Sequence, residues 1–241
     1  MSIIYLDEVN STNCYLSDRV RNQQLEEGFT VAAVNQTKGK GQAGNSWEAE
    51  AGKNLTFSIL FRPLTIEAQE QFIISQAVAL GVADALSEFT GDISIKWAND
   101  VYWRDRKIAG ILIENTISGN RISHSIAGIG ININQEKFLS DAPNPVSLKQ
   151  ITGIEYSLKD LLPRFRASIF ERYSQMQIND TEIRADYFKK LYRREGFYLY
   201  ESAGETFEAQ IKRVKPSGHL VLETKKGEEL VFAFKELRFV I

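Results

Sequence analysis

"KGKGQAGNSW", residues 38 to 47, sets Gly39, Gly41 and Gly44 at the spacing G-x-G-x-x-G, directly after an apolar run that ends near Val34. In a dinucleotide-binding βαβ unit a helix opens at the third glycine, so that the pyrophosphate rests on unpaired N–H groups at the helix's positive end. Nothing after Gly44 reads as such a helix. Asn45, Ser46 and Trp47 lead to Gly52 and then to the alternating "LTFSILF" of residues 55 to 61, which reads as a strand. The unit is strand, glycine loop, strand. A protein-kinase glycine loop shares that layout, but the chain contains neither an H-R-D loop nor a D-F-G triplet. An ordinary long hairpin loop has the same spacing, so the rest of the chain must decide whether this loop holds a ligand.

The 241 residues suffice for one large core and a small second domain, and 43% hydrophobic with 25% charged residues describe a globular protein that needs no metal or disulfide to fold. A net charge of -2 argues against a broad nucleic-acid surface and leaves room for a local basic pocket, so no nucleic-acid partner is expected. Cys14 is the only cysteine, which excludes an intrachain disulfide and makes the cytoplasm the expected compartment; a small buried residue and a nucleophile are its two readings. The start "MSIIYLDEVN" lacks the plan of an export signal, and no apolar run approaches the roughly 18 residues of a membrane span. No membrane partner is expected.

Working outward from the loop, residues 2 to 8 and "FTVAAVN" read as strands, with a helix through "CYLSDRVRNQQ" between them that Ser11, Thr12 and Asn13 can cap. Thr65 introduces a long helix through "IEAQEQFIISQAVALGVADALSEF", expected to cover a sheet. "ISIKWAND", "KIAGILIEN" and "RISHSIAGIGININ" follow as antiparallel strands with turns at Asp105-Arg106 and Gly119-Asn120. Pro143 and Pro145 break the pattern, Ser157 and Asp160 open a helix through "LLPRFRASIFERY", and another helix is expected near 181 to 193. From about Gly196, four alternating runs with turns at Gly204, Pro216-Ser217-Gly218 and Lys226-Gly227 read as a small all-β module. The expected fold is α+β, a mixed and mostly antiparallel sheet packed by helices over residues 1–194, with a small β domain at 195–241.

"KWAND" at 96 to 100 and "KIAGILIE" at 107 to 114 place two lysines, an amide and a carboxylate around one turn between strands. Two ammonium groups converging on one cleft repel unless a multiply charged anion lies between them, while Asp100 and Asn99 offer oxygen ligands suited to magnesium. A nucleoside triphosphate with its metal meets both demands; alternatively, Asp100 is a turn residue and Lys107 a solvated surface lysine.

With "STN" at 11 to 13, "GKGQAGNSW" at 39 to 47, "KWAND", "KIAGILIE" and "GIGIN" at 128 to 132, the chain resembles the biotin protein ligases, whose patterns S-T-N, G-R-G-R-x-G-R-x-W, K-W-P-N-D, K-[IL]-A-G-I-L-[IV]-E and G-I-G-x-N occur in the same order. The resemblance implies a class II synthetase-like, biotin/lipoate ligase fold with a C-terminal SH3-like β-barrel, in the short form without a DNA-binding domain. It implies an enzyme that activates biotin with ATP as biotinyl-5'-AMP, then passes the biotinyl group to a lysine of a biotin carboxyl carrier protein of acetyl-CoA carboxylase or a related carboxylase. The carrier is expected to pair main-chain strands beside the active site, and the enzyme to be a monomer or homodimer.

The roles the resemblance implies fall on particular residues. Ser11, Thr12, Asn13, Gln36, Lys40, Gly41, Gln42, Lys107 and Gly110 are expected to bind biotin, whose polar ureido ring needs hydrogen-bond donors and acceptors. Gly39, Lys40, Gly41, Gly44, Trp47, Lys96, Asn99 and Asn132 are expected to hold ATP or the adenylate, with Mg2+ at Asp100. Lys107 is expected to hold the biotin carboxylate beside the α-phosphate and Lys96 to meet the phosphates, a catalytic pair that positions and neutralises. Trp47 either stacks over adenine or simply starts a core strand. The loop departs from the family pattern: Lys40 replaces the first arginine, Gln42, Ala43 and Asn45 stand where arginine is frequent, and Ala98 replaces a proline. Fewer bidentate donors then face the phosphate.

Two rivals remain. A lipoate or octanoate ligase or transferase of the same fold binds an acyl chain without a ureido ring, against which the polar "STN" and Gln36 argue. A catalytically weak biotin- or nucleotide-binding sensor would suit the thinned loop. His124 and His219, the only histidines, lie in no catalytic or zinc motif and are read as structural.

Overall fold

The computed structural model describes residues 2–139 and 144–241. Pro143, read above as a pattern breaker, lies outside the described residues. Seven strands form the main sheet: β1 (Ile3–Val9), β2 (Thr30–Gln36), β3 (Leu55–Phe61), β4 (Ile93–Lys96), β5 (Asp100–Trp103), β6 (Arg106–Ser118) and β7 (Arg121–Ile131), in the order β1-β2-β3-β7-β6-β5-β4. Only β1 and β2, joined through helix α1 (Thr12–Asn22), run parallel; the other neighbours are antiparallel. The sheet is therefore mixed, as expected.

All seven residues of the interior strand β3 are buried, and their alternation sorts the two faces. Leu55, Phe57, Ile59 and Phe61 enter the main core beneath the helices α2 (Phe72–Ser87) and α4 (Leu158–Ile178), whereas Leu60 joins Leu16 of α1 in a smaller core on the opposite face. A fully buried aliphatic or aromatic side chain of this kind contributes about 1.5–3 kcal/mol. Where α2 crosses α4, a Cβ on Gly81 would stand 2.5 Å from the Ile169 Cα, so only glycine allows the backbones to approach this closely.

The helix expected from Thr65 begins instead at Phe72, after a single 3₁₀ turn at Ala68–Glu70. Residues 66 to 68 are drawn out to pair with the β6–β7 hairpin, Ile122 N–H donating to Ile66 O and Ala68 N–H to Asn120 O. A short helix, α3 (Leu148–Thr152), was not expected; its capping box joins Ser147 and Gln150. The helix α5 (Asp180–Lys189) leads into a stretch whose Tyr192 N–H donates to Ile95 O on edge strand β4.

The last five strands, β8 (Tyr198–Ser202), β9 (Glu205–Val214), β10 (Leu220–Thr224), β11 (Glu229–Phe232) and β12 (Arg238–Phe239), form a sheet in the order β11-β10-β9-β8-β12. This sheet is open and not the closed barrel expected: β12 spans two residues, pairs with β8 alone and does not reach β11. Its turn at Gly218 accepts a hydrogen bond from Trp97 Nε1 at 2.9 Å, and Phe234 meets the same indole edge-on, which fixes the small sheet beside β4 and β5.

Candidate active site

The register of the main sheet builds a bare floor. Across four strands, Thr56, Gly130, Gly110 and Asp100 stand side by side, and the adjacent row is Ser58, Gly128 and Leu112. Side chains in one row of a sheet share a face, so the three glycines open a trough on the face that carries α1. The trough belongs to a cleft of about 770 Å³ lined from both sheets.

A β-bulge aims the first lysine into it. Val101 pairs with Ala109 but Tyr102 pairs with Lys107, leaving Ile108 as the extra residue of β6. Ile108 and Ala109 consequently both enter the core, and Lys107 turns onto the face of Gly110, where a Cβ would stand 3.2 Å from the lysine Nζ. Lys107 Nζ lies 2.7 Å from Asp100 Oδ1 and 5.6 Å from the centre of the Trp47 ring.

Lys96 enters from β4. Its Nζ donates to Tyr102 Oη at 3.2 Å and sits over the rings of Tyr102 and Phe239, the latter from the small sheet. Burial pushes its pKa below the ordinary value; Asp100 opposes that shift, and the neighbouring charges of Lys107 and Arg193 add to it. Lys40, Lys96, Lys107, Lys235 and Arg238 line the cleft, while Asp100 is its only carboxylate among the described residues. Such an imbalance favours a polyanionic ligand.

The glycine loop closes on itself over this floor. Gly41 N–H donates to Asn45 O, Trp47 N–H donates to Gly39 O, and a 3₁₀ turn at Gln42–Gly44 forms the tip. Gly39 permits the closure, since a Cβ there would lie 2.6 Å from the Trp47 carbonyl oxygen. The indole of Trp47 lies in the glycine trough, and a Cβ on Gly130 would meet it at 2.3 Å. Lys40 leaves the loop toward Cys14, whose thiol is the main cause of a raised lysine pKa, with Glu114 adding to it.

At the α1 end, Ser11 occupies the N-cap position without a side-chain capping bond, and Thr12 and Asn13 turn toward the sheet. Gln36 Oε1 accepts from Thr12 N–H at 2.8 Å and stands 3.1 Å from its hydroxyl. Ser58 Oγ lies 2.7 Å from Thr12 Oγ1 and 2.6 Å from Asn13 Oδ1, and Asn13 Nδ2 donates to Glu114 at 2.7 Å. Gly128 leaves the room for Asn13, whose Oδ1 stands 2.3 Å from where a Cβ would be.

Of the residues singled out in the sequence, Ser11, Thr12, Asn13, Gln36, Lys40, Gly41, Gln42, Gly44, Trp47, Lys96, Asn99, Asp100, Lys107 and Gly110 line the cleft. Gly39 acts one step back, through the loop closure. Asn132 does not line it: its amide donates to Val146 O at 3.2 Å, and its Oδ1 is buried without a hydrogen-bond partner. Asn99 lines the cleft but donates its amide to Ile111 O. Sequence reasoning missed Phe234, Arg238 and Phe239 of the small sheet, which no local motif marks, and it missed Ser58 and Glu114, whose signal was their fixed spacing within "LTFSILF" and "KIAGILIE".

For magnesium, Asp100 is the one carboxylate in reach, already ion-paired with Lys107, and no group of three His, Cys, Asp or Glu residues gathers among the described residues. That donor set fits a metal carried by phosphates better than a protein-built cage.

A profile of the biotin/lipoate A/B protein ligase family matches residues 5–132. The chain is 26% identical over 239 residues to the bifunctional ligase/repressor BirA of Bacillus subtilis, covering 96% of this chain and 72% of that one. It is 27% identical over 184 residues to the biotin--[acetyl-CoA-carboxylase] ligase of Mycobacterium tuberculosis, covering 75% of this chain and 67% of that one. Among solved structures, the biotin protein ligase of Aquifex aeolicus in complex with biotin and ATP superposes with a TM-score of 0.79 at 26% identity, covering 99% of each chain.

Proposed function

The chain belongs to the biotin/lipoate A/B protein ligase family, and from that membership and the chemistry of the cleft we propose an ATP-dependent ligase that makes biotinyl-5'-AMP and transfers the biotinyl group to a carrier lysine. The observation that carries the reading is one continuous trough with hydroxyl and amide groups at the α1 end and paired lysines at the other. Such a trough suits a substrate that joins a polar ureido ring, an apolar chain and a carboxylate. The polar end favours biotin over a lipoyl or octanoyl chain, because those chains offer no acceptor to the Gln36 amide that lines it.

In the first step an oxygen of the biotin carboxylate attacks the α-phosphorus of ATP, and the bond to the bridging oxygen of pyrophosphate breaks. Lys107 holds the carboxylate and the α-phosphate together, offsetting the repulsion between two anions, while Asp100 fixes the lysine's position. Lys96 faces the departing pyrophosphate. The half-buried setting of the lysines raises the strength of these contacts over their value in water. When bound with ATP, magnesium would neutralise phosphate charge, and Asp100 is the residue that would help to hold it. In the second step the carrier lysine, delivered neutral, attacks the acyl carbon of the mixed anhydride and AMP leaves.

The carrier domain of acetyl-CoA carboxylase, or of a related carboxylase, is the partner we assign, by analogy with the Mycobacterium tuberculosis relative. We also infer that residues 1–194 form the catalytic domain and 195–241 a smaller one, a division supported by the two separate sheets. No helix among the described residues is long and apolar enough to cross a membrane, and the cytoplasm is the compartment we assign. Pyrophosphate release, measured with ATP and either biotin, lipoate or octanoate, tests the reading. Release with biotin is expected to exceed release with either acid by at least about 100-fold, the discrimination a site built for hydrogen bonding achieves. Equal or faster release with lipoate or octanoate overturns it.

A further inference from the structure

The Lys96 ammonium is held between two aromatic rings that come from different sheets. Its Nζ stands 5.1 Å from the centre of the Tyr102 ring on β5 and 5.2 Å from the centre of the Phe239 ring on β12. It donates to Tyr102 Oη at 3.2 Å and, among the described residues, forms no ion pair. A lysine on its flexible four-carbon stem ordinarily swings to a carboxylate in reach. Asp100 attracts Lys96 but is paired with Lys107 instead, at 2.7 Å.

The rings are themselves fixed. Tyr192, from the stretch between α5 and the small sheet, lies against Tyr102 with ring centres 5.4 Å apart and against Phe239 at 6.2 Å. Its hydroxyl donates to Asp105 Oδ1 at 2.5 Å and its N–H to Ile95 O, which ties it to the turn after β5 and to edge strand β4. Phe239 pairs with Tyr200 across the β8–β12 ladder and meets that ring edge-on at 5.0 Å. All four aromatic residues are buried. Trp97, the residue after Lys96, anchors the same small sheet through its hydrogen bond to Gly218 O. The small sheet thus grips two successive residues at the end of β4, Trp97 by a hydrogen bond and Lys96 by a ring face.

A ring face and a carboxylate hold an ammonium with different consequences. The quadrupole of the ring attracts the cation but carries no net charge, so the lysine is fixed in place and stays unneutralised. An ion pair with Asp100 would fix it too, while cancelling the charge that a phosphate needs. Burial lowers the pKa of this lysine, the cost of a charge withdrawn from water, and an arriving polyanion offsets that cost.

We propose that Phe239 and Tyr102 are positioning residues whose ring faces hold the Lys96 ammonium off Asp100 and toward the phosphates, so that the small C-terminal sheet enters the chemistry through one ring. The inference rests on the ATP-dependent ligase reading above and adds the route by which the small sheet acts. Phe239 works here through Lys96 and not through a contact of its own with the nucleotide. Its loss frees the lysine to fold onto Asp100, which weakens the grip on the triphosphate and leaves the α1 end of the trough as it was.

The test is a double-mutant cycle on the full-length protein with Phe239→Leu, which keeps an apolar side chain and removes the ring face, Lys96→Met, and the two combined. Calorimetry with the magnesium complex of α,β-methylene-ATP, which cannot release pyrophosphate, gives the nucleotide affinity with biotin present; pyrophosphate release from ATP gives the KM for biotin. Phe239→Leu is expected to weaken nucleotide binding by about 5- to 30-fold, the range of a cation–π contact out of water, with the KM for biotin within about twofold. In the Lys96→Met background the same substitution is expected to change the affinity by less than about twofold, because the residue it acts through is gone. Tyr102→Phe keeps its ring and removes only the hydroxyl, and is expected to cost about tenfold in nucleotide affinity with Lys96 present and nothing without it. Losses of equal size in both backgrounds, an affinity unchanged by Phe239→Leu or by Lys96→Met, or a KM for biotin that rises in step overturn the proposal and leave the ligase reading intact. A wild type that releases no pyrophosphate with biotin overturns that reading, while the binding cycle still decides whether the rings act through Lys96.

Discussion

Lys107 Nζ and Asp100 Oδ1 lie 2.7 Å apart across the β5–β6 pair, at the bulge that turns Lys107 onto the cleft face. The carboxylate holds the ammonium where two substrate anions must meet, and it offsets part of the repulsion between Lys107 and Lys96. Lys107→Ala is expected to lower kcat/KM for adenylation by at least about 10- to 100-fold, the worth of one hydrogen bond to a charged group, with an unchanged circular dichroism spectrum. Asp100→Asn keeps the lysine but loosens it, and is expected to fall between wild type and Lys107→Ala. Pyrophosphate release at the wild-type rate in Lys107→Ala would remove this lysine from the chemistry.

The glycine trough makes a second prediction. A Cβ on Gly130 would meet the Trp47 indole at 2.3 Å, whereas one on Gly110 would meet it at 2.9 Å. Gly130→Ala is therefore expected to push Trp47 out of the trough and raise the KM for ATP by about tenfold or more, the scale of losing a buried aromatic contact. Gly110→Ala is expected to do less. Tryptophan fluorescence reports the movement, and an unshifted emission maximum in Gly130→Ala contradicts it.

Much of this arrangement was legible in the residues. "LTFSILF" gave a strand at its observed bounds, and the motif residues of "STN", "KWAND" and "KIAGILIE" meet in one cleft. What the sequence hid was non-local. Residues 66 to 68 carry helical spacing but are taken by the β6–β7 hairpin, because a tertiary pairing outweighs a weak local preference. The α3 helix had a signal that was overlooked, the capping box S-x-x-Q at Ser147 and Gln150. The bulge at Ile108 leaves no local mark, and the approach of Phe239 to Lys96 depends on how a distant sheet docks.

Lys96 gives a pH-dependent prediction. Burial holds its native pKa below the unfolded value, so the native state binds fewer protons than the unfolded state in the interval between the two. The cost of burying the charge is felt in full below that interval and is recovered as pH rises through it toward 10.5. The melting temperature of wild type minus that of Lys96→Met is thus expected to climb with pH across the interval. A difference that is flat or falls with pH would show that burial does not govern this lysine.

Gln42 lines the cleft at the loop tip, and its Oε1 is buried without a hydrogen-bond partner. An acceptor there does nothing to retain an adenylate phosphate. Gln42→Arg adds a charge-assisted donor and is expected to slow dissociation of biotinyl-5'-AMP by about 10- to 100-fold, read by rapid filtration, with less labelling of bystander proteins. Equal off-rates would mean that the loop retains its ligand through backbone N–H groups.

The most direct measurement is the intact mass of a carrier domain of acetyl-CoA carboxylase after incubation with this protein, biotin, ATP and magnesium. The account predicts a gain of one biotinyl group on a single lysine, dependent on ATP and lost in Lys107→Ala. A carrier that stays unmodified while a lipoyl or octanoyl donor is transferred instead, or that is biotinylated equally well by Lys107→Ala, would contradict it.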